Sequence, residues 1–295
     1  MKFVLLAALG ASALMTPQVT LAKEPVSLTP SSQWIVDFSE QKCTIARQFG
    51  TGDDLAILKI STFLPDWGYD LTLISRHARL SNWRGDPSGG RIVIEFSPGG
   101  PQAEAFVRTA ETDRFPALVA TGVFEEPTGS PESRHYLTGE PDRYANIERI
   151  DFTSGMRDRV TLLTGEMKRV FALMDECKWK QVEHWGLDVD ANRHRTSGPT
   201  IKPGVLEDIA DQLQAKYPAA ALRAQRIAQI SLRLIVDQQG SVSDCTVLSG
   251  TEAKEFADVP CKPFLSQPYI FEPARGADGQ PIASWAQQTV RYRIP

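Results

Sequence analysis

Short apolar segments with strand-like alternation dominate the first 185 residues of the chain. In YDLTLIS and CTIARQF the apolar side chains fall mostly at every second position, which is the period of a β-strand with one buried face. Clusters rich in Gly, Asp, Asn and Pro, such as SNWRGDPSGG, separate these segments. Many short strands at this spacing predict a sandwich or an open barrel. The segments with strand composition are QWIVDF, CTIARQF, LAILKIS, YDLTLIS, RIVIEF, ALVATGVF and RVTLLTG.

The apolar pattern becomes helical at the end of this region. A single helix that closes the β-rich domain is predicted there, with Gly186 at its end. Cys177 lies on the apolar face of this helix and Cys43 begins a predicted strand, so a bridge between them would tie the helix to the sheet. The residues on the predicted apolar face are Met167, Val170, Phe171, Met174, Cys177 and Trp185.

Residues 187–203 lack hydrophobic periodicity and are rich in Gly, Pro, Asn and Thr, which predicts a linker. The small basic cluster Asn192–Arg195 is interpreted as part of this solvated linker. The predicted organisation is therefore a signal peptide at 1–22, a β-rich domain at 23–186, the linker, and a second domain at 204–295.

The last part of the chain mixes helices and strands. QISLRLIVD and SVSDCTVLS flank a Gln-Gln-Gly turn and predict a hairpin. TEAKEFADVPCKPFLS predicts a short helix interrupted by proline, and ASWAQQTVRYRIP predicts a closing strand in which Val290, Tyr292 and Ile294 alternate with Arg291 and Arg293. The fold class is α+β, with a three-stranded antiparallel sheet in the second domain. A helical stripe precedes the hairpin and comprises Leu206, Ile209, Ala210, Leu213 and Tyr217.

Composition and charge narrow the class of protein. Of the 295 residues, 42 % are hydrophobic and 23 % are charged, which is typical of a globular chain. The formal net charge of −4 argues against a nucleic-acid partner, which usually requires a basic face. At the N-terminus, Lys2, an apolar run from Phe3 to Met15 and the small residue Ala22 form the pattern of a secretory signal peptide. We therefore expect export to the periplasm and no stable membrane span after cleavage.

The cysteine count fits an exported protein. An even number of cysteines in such a chain predicts disulfides, and four of them allow three pairings. Bridges that stay within the predicted domains are Cys43–Cys177 and Cys245–Cys261. Because the chain contains no Cys-x-x-Cys motif, a structural role is favoured over a redox role for Cys245 and Cys261.

Several separated motifs near the C-terminus resemble the C-terminal domain of the TonB energy-transducer family. KYPAAALRAQRIAQISLRLIVDQQGSVSDCTVLSG is similar to the family's Tyr-Pro-x-x-Ala segment followed by two strands around a Gly turn. FEPARGADGQPI resembles its Phe-x-Pro-Ala-Arg segment with an Asp-Gly turn, and TVRYRIP resembles its closing strand. The resemblance covers roughly the last 90 residues, the length of a single domain. It implies a TonB-like domain and cysteines that staple it.

The resemblance also implies a mode of binding. In this family the domain captures an extended receptor peptide by adding it to a sheet edge. The candidate edge is the closing strand, with a protein or extended peptide as the partner, for example a segment of an outer-membrane receptor. Arg291 and Arg293 either meet acidic side chains of the partner or only guard the edge against self-association. The candidate residues are Gln287, Gln288, Thr289, Val290, Arg291, Tyr292 and Arg293.

The remainder of the chain departs from a complete TonB protein. Such a protein keeps an N-terminal anchor helix and a long Pro-rich segment that crosses the periplasm, whereas this chain has a cleavable signal, a β-rich domain and a short linker. We therefore expect a binding module related to TonB-dependent transport, and no enzyme. The alternative is a secreted enzyme whose site lies in the N-terminal domain, with the TonB-like domain for docking. A concave pocket with convergent polar groups would favour the enzyme.

Other motifs carry no chemistry in this sequence. GDPSGG, at Gly85–Gly90, is similar to the Gly-Asp-Ser-Gly-Gly of trypsin-like proteases, but Pro87 breaks the register that orients the serine. We interpret it as a turn. None of the histidines stands at zinc-ligand spacing from another ligand, so no metal and no cofactor are expected. The histidines are His77, His135, His184 and His194.

The signal peptide makes a testable prediction. Protein recovered from the periplasm should begin at Lys23, because Ala22 is the last residue of the cleavage signal. Intact-mass spectrometry measures this directly. Retention of Met1 in a membrane fraction would contradict it and would make the protein an anchored one.

Overall fold

The structure is a computed structural model that describes residues 24–65, 68–81, 90–100, 102–123, 146–225, 228–250, 256 and 259–294. The side chains of 249 and 250 are not described. The predicted signal peptide at 1–22, His135 and all but the last residue of the Gly85–Gly90 turn lie outside the described residues.

The N-terminal domain is a single curled sheet. Its ten described strands follow the order β1-β10-β9-β6-β7-β8-β5-β4-β3-β2, and every pair is antiparallel except β1 with β10. The strands are β1 (Val26–Leu28), β2 (Ile35–Phe38), β3 (Cys43–Phe49), β4 (Ala56–Thr62), β5 (Tyr69–Ser75), β6 (Gly90–Ser97), β7 (Gln102–Glu111), β8 (Pro116–Val123), β9 (Arg149–Ser154) and β10 (Val160–Leu162).

The two ends of this sheet meet through the first residues of the domain. After β1 pairs with β10, Pro30 forms a bridge with Phe49 of β3, and the Ser31 N–H donates to the Gln48 carbonyl at 2.9 Å. The chain then continues as β2 along the same strand β3. One bent segment therefore joins both ends of the sheet, which curls around an apolar core as in a barrel.

Helix α1 (Lys168–His184) packs on this core, as the apolar spacing predicts. Phe171, Met174 and Cys177 are at most 2 % exposed and belong to the same cluster as the strand residues. Gly186 has a φ of +74°, a conformation that few other residues adopt, immediately after the helix. Trp185 was expected on the same face, but it lies beyond the last helical turn and contacts the C-terminal domain instead.

The C-terminal domain contains the predicted three-stranded antiparallel sheet, in the order β13-β12-β17. Two short ladders, β11 with β14 and β15 with β16, complete the pairing. The elements are α2 (Val189–Arg193), β11 (Thr200–Ile201), α3 (Val205–Ala215), α4 (Ala219–Arg223), β12 (Ala228–Val236), β13 (Val242–Gly250), α5 (Lys262–Ser266), β14 (Phe271–Glu272), β15 (Ala274–Arg275), β16 (Pro281–Ile282) and β17 (Ser284–Tyr292).

The turn between β12 and β13 explains the Gln-Gln-Gly signal. The Asp237 carboxylate accepts hydrogen bonds from the N–H groups of Gln239 and Ser241, at 2.9 and 2.8 Å, which fixes the turn. Gly240 has a φ of +88°, and a Cβ there would overlap the Phe271 carbonyl. Only glycine satisfies both constraints at this position.

The two faces of the C-terminal sheet pack against different parts of the chain. On one face Leu232, Leu234 and Val290 join a cluster that includes Ile209 of α3 and Phe264 of α5. Leu206, expected in the helical stripe, is 43 % exposed, because the buried contacts of α3 lie along Ile209 and Leu213.

The second face packs against the N-terminal domain. Ile235 and Trp285 belong to a separate cluster with Trp179 and Val182 of α1 and with Leu187. The Trp285 ring lies edge-on to two other indoles, with ring centroids 6.4 Å from Trp179 and 5.9 Å from Trp185. We call the cluster formed by Trp179, Val182, Trp185, Leu187, Ile235 and Trp285 the interdomain cluster.

Residues 187–203, expected to be a linker, carry α2 and β11 and hold the two domains together. Asn192 is 3 % exposed, and its side chain donates to the Ala283 carbonyl at 3.0 Å and accepts from the Ser284 hydroxyl at 2.7 Å. The Arg195 guanidinium lies 3.9 Å from the Trp285 ring centroid. The cluster Asn192–Arg195 is thus partly packed against the start of β17. Its partners are Ser284 and Trp285 of that strand and Ala283 just before it.

Both predicted disulfides are confirmed. Cys43 of β3 is bonded to Cys177 of α1, and Cys245 of β13 is bonded to Cys261 just before α5, with Cα–Cα distances of 6.0 and 5.7 Å. The first bridge ties the helix to the N-terminal sheet. The second ties an edge strand to the helix that packs beside it.

The two bridges should contribute unequally to stability. They close segments of 134 and 16 residues in sequence separation. In the chain-entropy view, closing a short loop contributes about 3 kcal/mol and a loop beyond 100 residues about 5 kcal/mol. Replacing Cys43 and Cys177 with alanine should therefore lower the free energy of unfolding more than replacing Cys245 and Cys261.

Guanidinium denaturation followed by circular dichroism measures this order. Non-reducing peptide mapping of the wild-type protein is the control, and it should yield only the two bridges within domains. An equal loss of stability in the two double variants, or a bridge from Cys43 to Cys245, would contradict the account.

Candidate functional site

The closing strand β17 forms an edge of the C-terminal sheet. It pairs with β12 along its whole length, from Ala228 opposite Tyr292 to Val236 opposite Ser284. Within the part of the chain that the structure describes, β17 pairs with no second strand. Alternate backbone groups of an antiparallel edge strand point away from its neighbour, so β17 presents N–H and C=O groups to a possible additional strand.

Side chains of β17 alternate between core and solvent in its second half. Val290 and Tyr292 are 8 % and 2 % exposed and face the domain core, whereas Thr289 and Arg291 are exposed. This is the alternation that the sequence predicts. It ends with the strand, because Ile294, expected on the buried face, is 38 % exposed.

The two ends of β17 have different surroundings. At the start, Trp285 is held in the interdomain cluster and Ser284 accepts a hydrogen bond from Arg195 at 3.0 Å. At the end, the Gln214 side chain of α3 donates to the Arg293 carbonyl at 3.0 Å. The segment between these contacts, Gln287–Arg291, is therefore the part of the strand best placed to receive a partner.

Tyr292 anchors this edge from inside the domain. Its ring centroid lies 4.7 Å from that of Phe256 and 5.6 Å from that of Tyr217. Burial raises the pKa of Tyr292 to about 12, since the phenolate would lose its hydration. Tyr292 therefore stays neutral at physiological pH and fixes the strand by packing, while Arg291 and Arg293 supply the charge on the outer side.

A polar cluster in the N-terminal domain has no counterpart in the sequence analysis. The ring nitrogens of His77, which follows β5, lie 2.9 Å from an Asp158 oxygen and 3.1 Å from an Asp54 oxygen. Arg76 forms an ion pair of 2.7 Å with the same Asp54. The aspartates are 23 and 81 residues away from His77, which is why spacing along the chain gives no signal. These contacts join three separate segments of the curled sheet.

The described part of the chain shows no group of three or more His, Cys, Asp or Glu arranged to hold a metal ion. None of its helices is long and apolar enough to cross a membrane.

Comparison with known proteins agrees with the geometry of the second domain. Residues 214–294 match the family model described as Gram-negative bacterial TonB protein C-terminal. The matched region includes all three strands of the β13-β12-β17 sheet and the Cys245–Cys261 bridge. No curated protein matches the chain. The C-terminal domain is therefore similar, over residues 214–294, to the C-terminal domain of the Gram-negative bacterial TonB protein.

Proposed function

We propose that this chain is a periplasmic protein-binding module of the Gram-negative cell envelope, which captures an extended segment of a partner protein along β17. The observation that carries the proposal is the edge position of β17 within a sheet that matches the TonB family. An extended peptide that adds to this edge gains main-chain hydrogen bonds along the strand.

The packing of the sheet supports the edge as the contact surface. One face is covered by α3 and α5, and the other is partly covered by Trp179, Trp185 and Leu187 of the interdomain cluster. A partner that bound over the covered parts of either face would have to displace buried apolar side chains. Addition to the edge of β17 displaces none of them.

Charge narrows the class of partner. Arg291 and Arg293 are exposed on the strand and just beyond it. An extended segment with acidic side chains opposite these positions would gain cross-strand ion pairs, each worth a few tenths of a kcal/mol. An acidic segment of an outer-membrane receptor is the partner of this chemistry that the TonB similarity favours.

The proposal covers binding and does not extend to energy transduction. The only stretch between the two domains is residues 187–203, and it is folded against them through Asn192 and Arg195. A transducer of the TonB type needs a long segment that spans the periplasm. The short, packed segment suits a protein that presents its edge strand from a compact two-domain body.

A proline in the strand tests the proposal directly. Arg291→Pro removes a backbone donor and constrains φ, so it should abolish capture of partners from an envelope extract. Successive backbone N–H groups of an edge strand point alternately toward and away from the neighbouring strand. Residues 288 and 291 are an odd number of positions apart, so Gln288→Pro removes an N–H that points in the opposite direction from that of Arg291. Binding is measured by affinity capture with the full mature chain, after circular dichroism has confirmed folding.

Arg291→Ala is the matched control, because it deletes the charge and keeps the donor. It should weaken capture at most about threefold, the scale of an exposed ion pair. Unchanged capture by both folded proline variants would show that β17 is not the contact strand. Complete loss with Arg291→Ala alone would show recognition by charge rather than by strand addition.

A further inference from the structure

Two opposed arginines lie on the surface of the N-terminal domain, where the segment after β5 meets the connection from β9 to β10. Leu80 forms an isolated antiparallel bridge with Met156, and the Arg157 N–H donates to the Arg79 carbonyl at 2.8 Å. Leu80 and Met156 are each 6 % exposed, whereas Arg79 and Arg157 are exposed. The two arginines therefore stand directly opposite each other on the solvent side. We call Arg79 and Arg157 the arginine pair.

The arginine pair is unfavourable as it stands. Residues directly opposite each other in an antiparallel pair have Cβ atoms about 4.5–5.5 Å apart, and like charges at this separation destabilise the pairing. Within the part of the chain that the structure describes, neither guanidinium forms a hydrogen bond or an ion pair. An anion that lay between the two guanidinium groups would remove the repulsion.

Two neighbouring carboxylates do not supply this anion, because they are bound elsewhere. An Asp158 oxygen lies 2.9 Å from Nδ1 of His77. An Asp54 oxygen lies 3.1 Å from Nε2 of the same ring and 2.7 Å from Nη2 of Arg76. The His77 side chain is only 8 % exposed, so these contacts hold both aspartates against a buried group. The anion would have to come from another molecule.

An exposed aromatic ring lies beside the arginine pair. Gly155, two residues before Arg157, packs so closely on β6 that a Cβ there would overlap the Arg91 carbonyl. Arg91 pairs with Phe106 of β7, and its guanidinium lies 4.1 Å from the Phe106 ring centroid. Phe106 is 59 % exposed. We call Arg79, Arg91, Phe106 and Arg157 the basic–aromatic patch.

The arginine pair supplies most of the charge of this patch. Arg91 forms an ion pair with Glu104 at 2.9 Å, which offsets part of its charge. A guanidinium presents planar donors that match the oxygens of a phosphate group. Because exposed ion pairs are weak singly, a single free phosphate would be held poorly at so open a site. A surface that presents many phosphate groups would be held better, since several contacts form together.

A phospholipid membrane is such a surface, and it also accommodates the ring. Anionic headgroups attract arginines that lie close to the membrane. Apolar and aromatic side chains beside such cations enter the boundary between headgroups and acyl chains. We propose that the basic–aromatic patch docks on the anionic surface of a phospholipid membrane, with the arginine pair on lipid phosphate groups and the Phe106 ring at the headgroup boundary.

The patch lies far from the second domain. Strand β4 begins at Ala56, which pairs with Ser75 at the end of β5, next to the segment that carries the patch. It ends at Thr62, and Leu64 beyond it packs in the same cluster as Trp285. The 7 residues of this strand span about 23 Å. Docking of the patch therefore does not require contact between the C-terminal domain and the lipid.

Co-sedimentation of the full mature protein with phospholipid vesicles tests the proposal. Vesicles of phosphatidylcholine with about one-third phosphatidylglycerol should bind the protein about fivefold better, or more, than pure phosphatidylcholine, since each arginine near an anionic surface contributes about that factor. Raising NaCl to about 0.5 M should release the protein, because salt screens exposed charges.

Two double variants with the same change in charge locate the contact. Arg79→Gln with Arg157→Gln removes the arginine pair and should weaken binding to the anionic vesicles about tenfold or more. Arg291→Gln with Arg293→Gln removes two exposed arginines of the C-terminal domain and should bind like wild type. Phe106→Ser should weaken binding about threefold or more, and it serves if circular dichroism shows that the first variant does not fold.

Equal binding to neutral and anionic vesicles would overturn the proposal. So would an equal loss in the two double variants, which would show attraction by net charge alone. Capture of the protein by immobilised polyglutamate without binding to anionic vesicles would also overturn it, and would assign the patch to an acidic protein. Because the patch and β17 lie in different domains, failure of this test leaves the proposed strand capture standing, and the reverse also holds.

Discussion

The contact between Trp285 and the indoles of Trp179 and Trp185 is the interaction on which the rest of the structure depends. This three-stranded sheet carries apolar side chains on both faces, and the helices of the C-terminal domain cover only one of them. Trp285 and Ile235 on the other face would be exposed without α1 and Leu187. Large aromatic side chains dominate such contacts because each buries about 150–250 Å². The two domains are therefore expected to act as one unit.

Helix α1 connects the two domains, because it is fixed to the N-terminal sheet and also contacts the C-terminal sheet. The Cys43–Cys177 bridge ties the helix to β3, and Phe171 and Met174 anchor it in the curled sheet. Two turns further on, the same helix presents Trp179 and Val182 to the C-terminal sheet. The sheet order β13-β12-β17 leaves the outer edge of β17, like that of β13, without a neighbouring strand among the described residues.

Sequence patterns predict the strands and helix faces that depend on residues close together in the chain. They do not predict side-chain contacts between segments that are far apart in the chain. The hairpin, the closing strand and the face of α1 follow from local alternation, and both disulfides follow from assigning cysteines to domains. Strand β7 escaped the sequence analysis because small side chains such as Ala103 and Ala105 give a weak apolar signal. The role of Asn192 was also missed, since its partners Ala283 and Ser284 lie 91 and 92 residues away.

Residues 187–203 illustrate the limit most clearly. Their composition is typical of a linker, yet Asn192 is buried and Arg195 stacks on Trp285. Polar residues pack there because the carbonyl of Ala283 and the hydroxyl of Ser284 offer hydrogen-bond partners at the start of β17. Periodicity cannot report such contacts, because each is made by one side chain with a distant segment.

Hydrogen exchange of backbone amides in the full mature protein tests the central claim, that β17 keeps a free edge beside a buried face. Central strand residues Leu232–Leu234 pair on both sides and should exchange slowly. Amides from Gln287 to Arg291 should alternate between slow and fast exchange, because every second N–H points away from β12. Uniform protection along β17 in the free protein would show that its outer edge is already occupied, and would contradict the account.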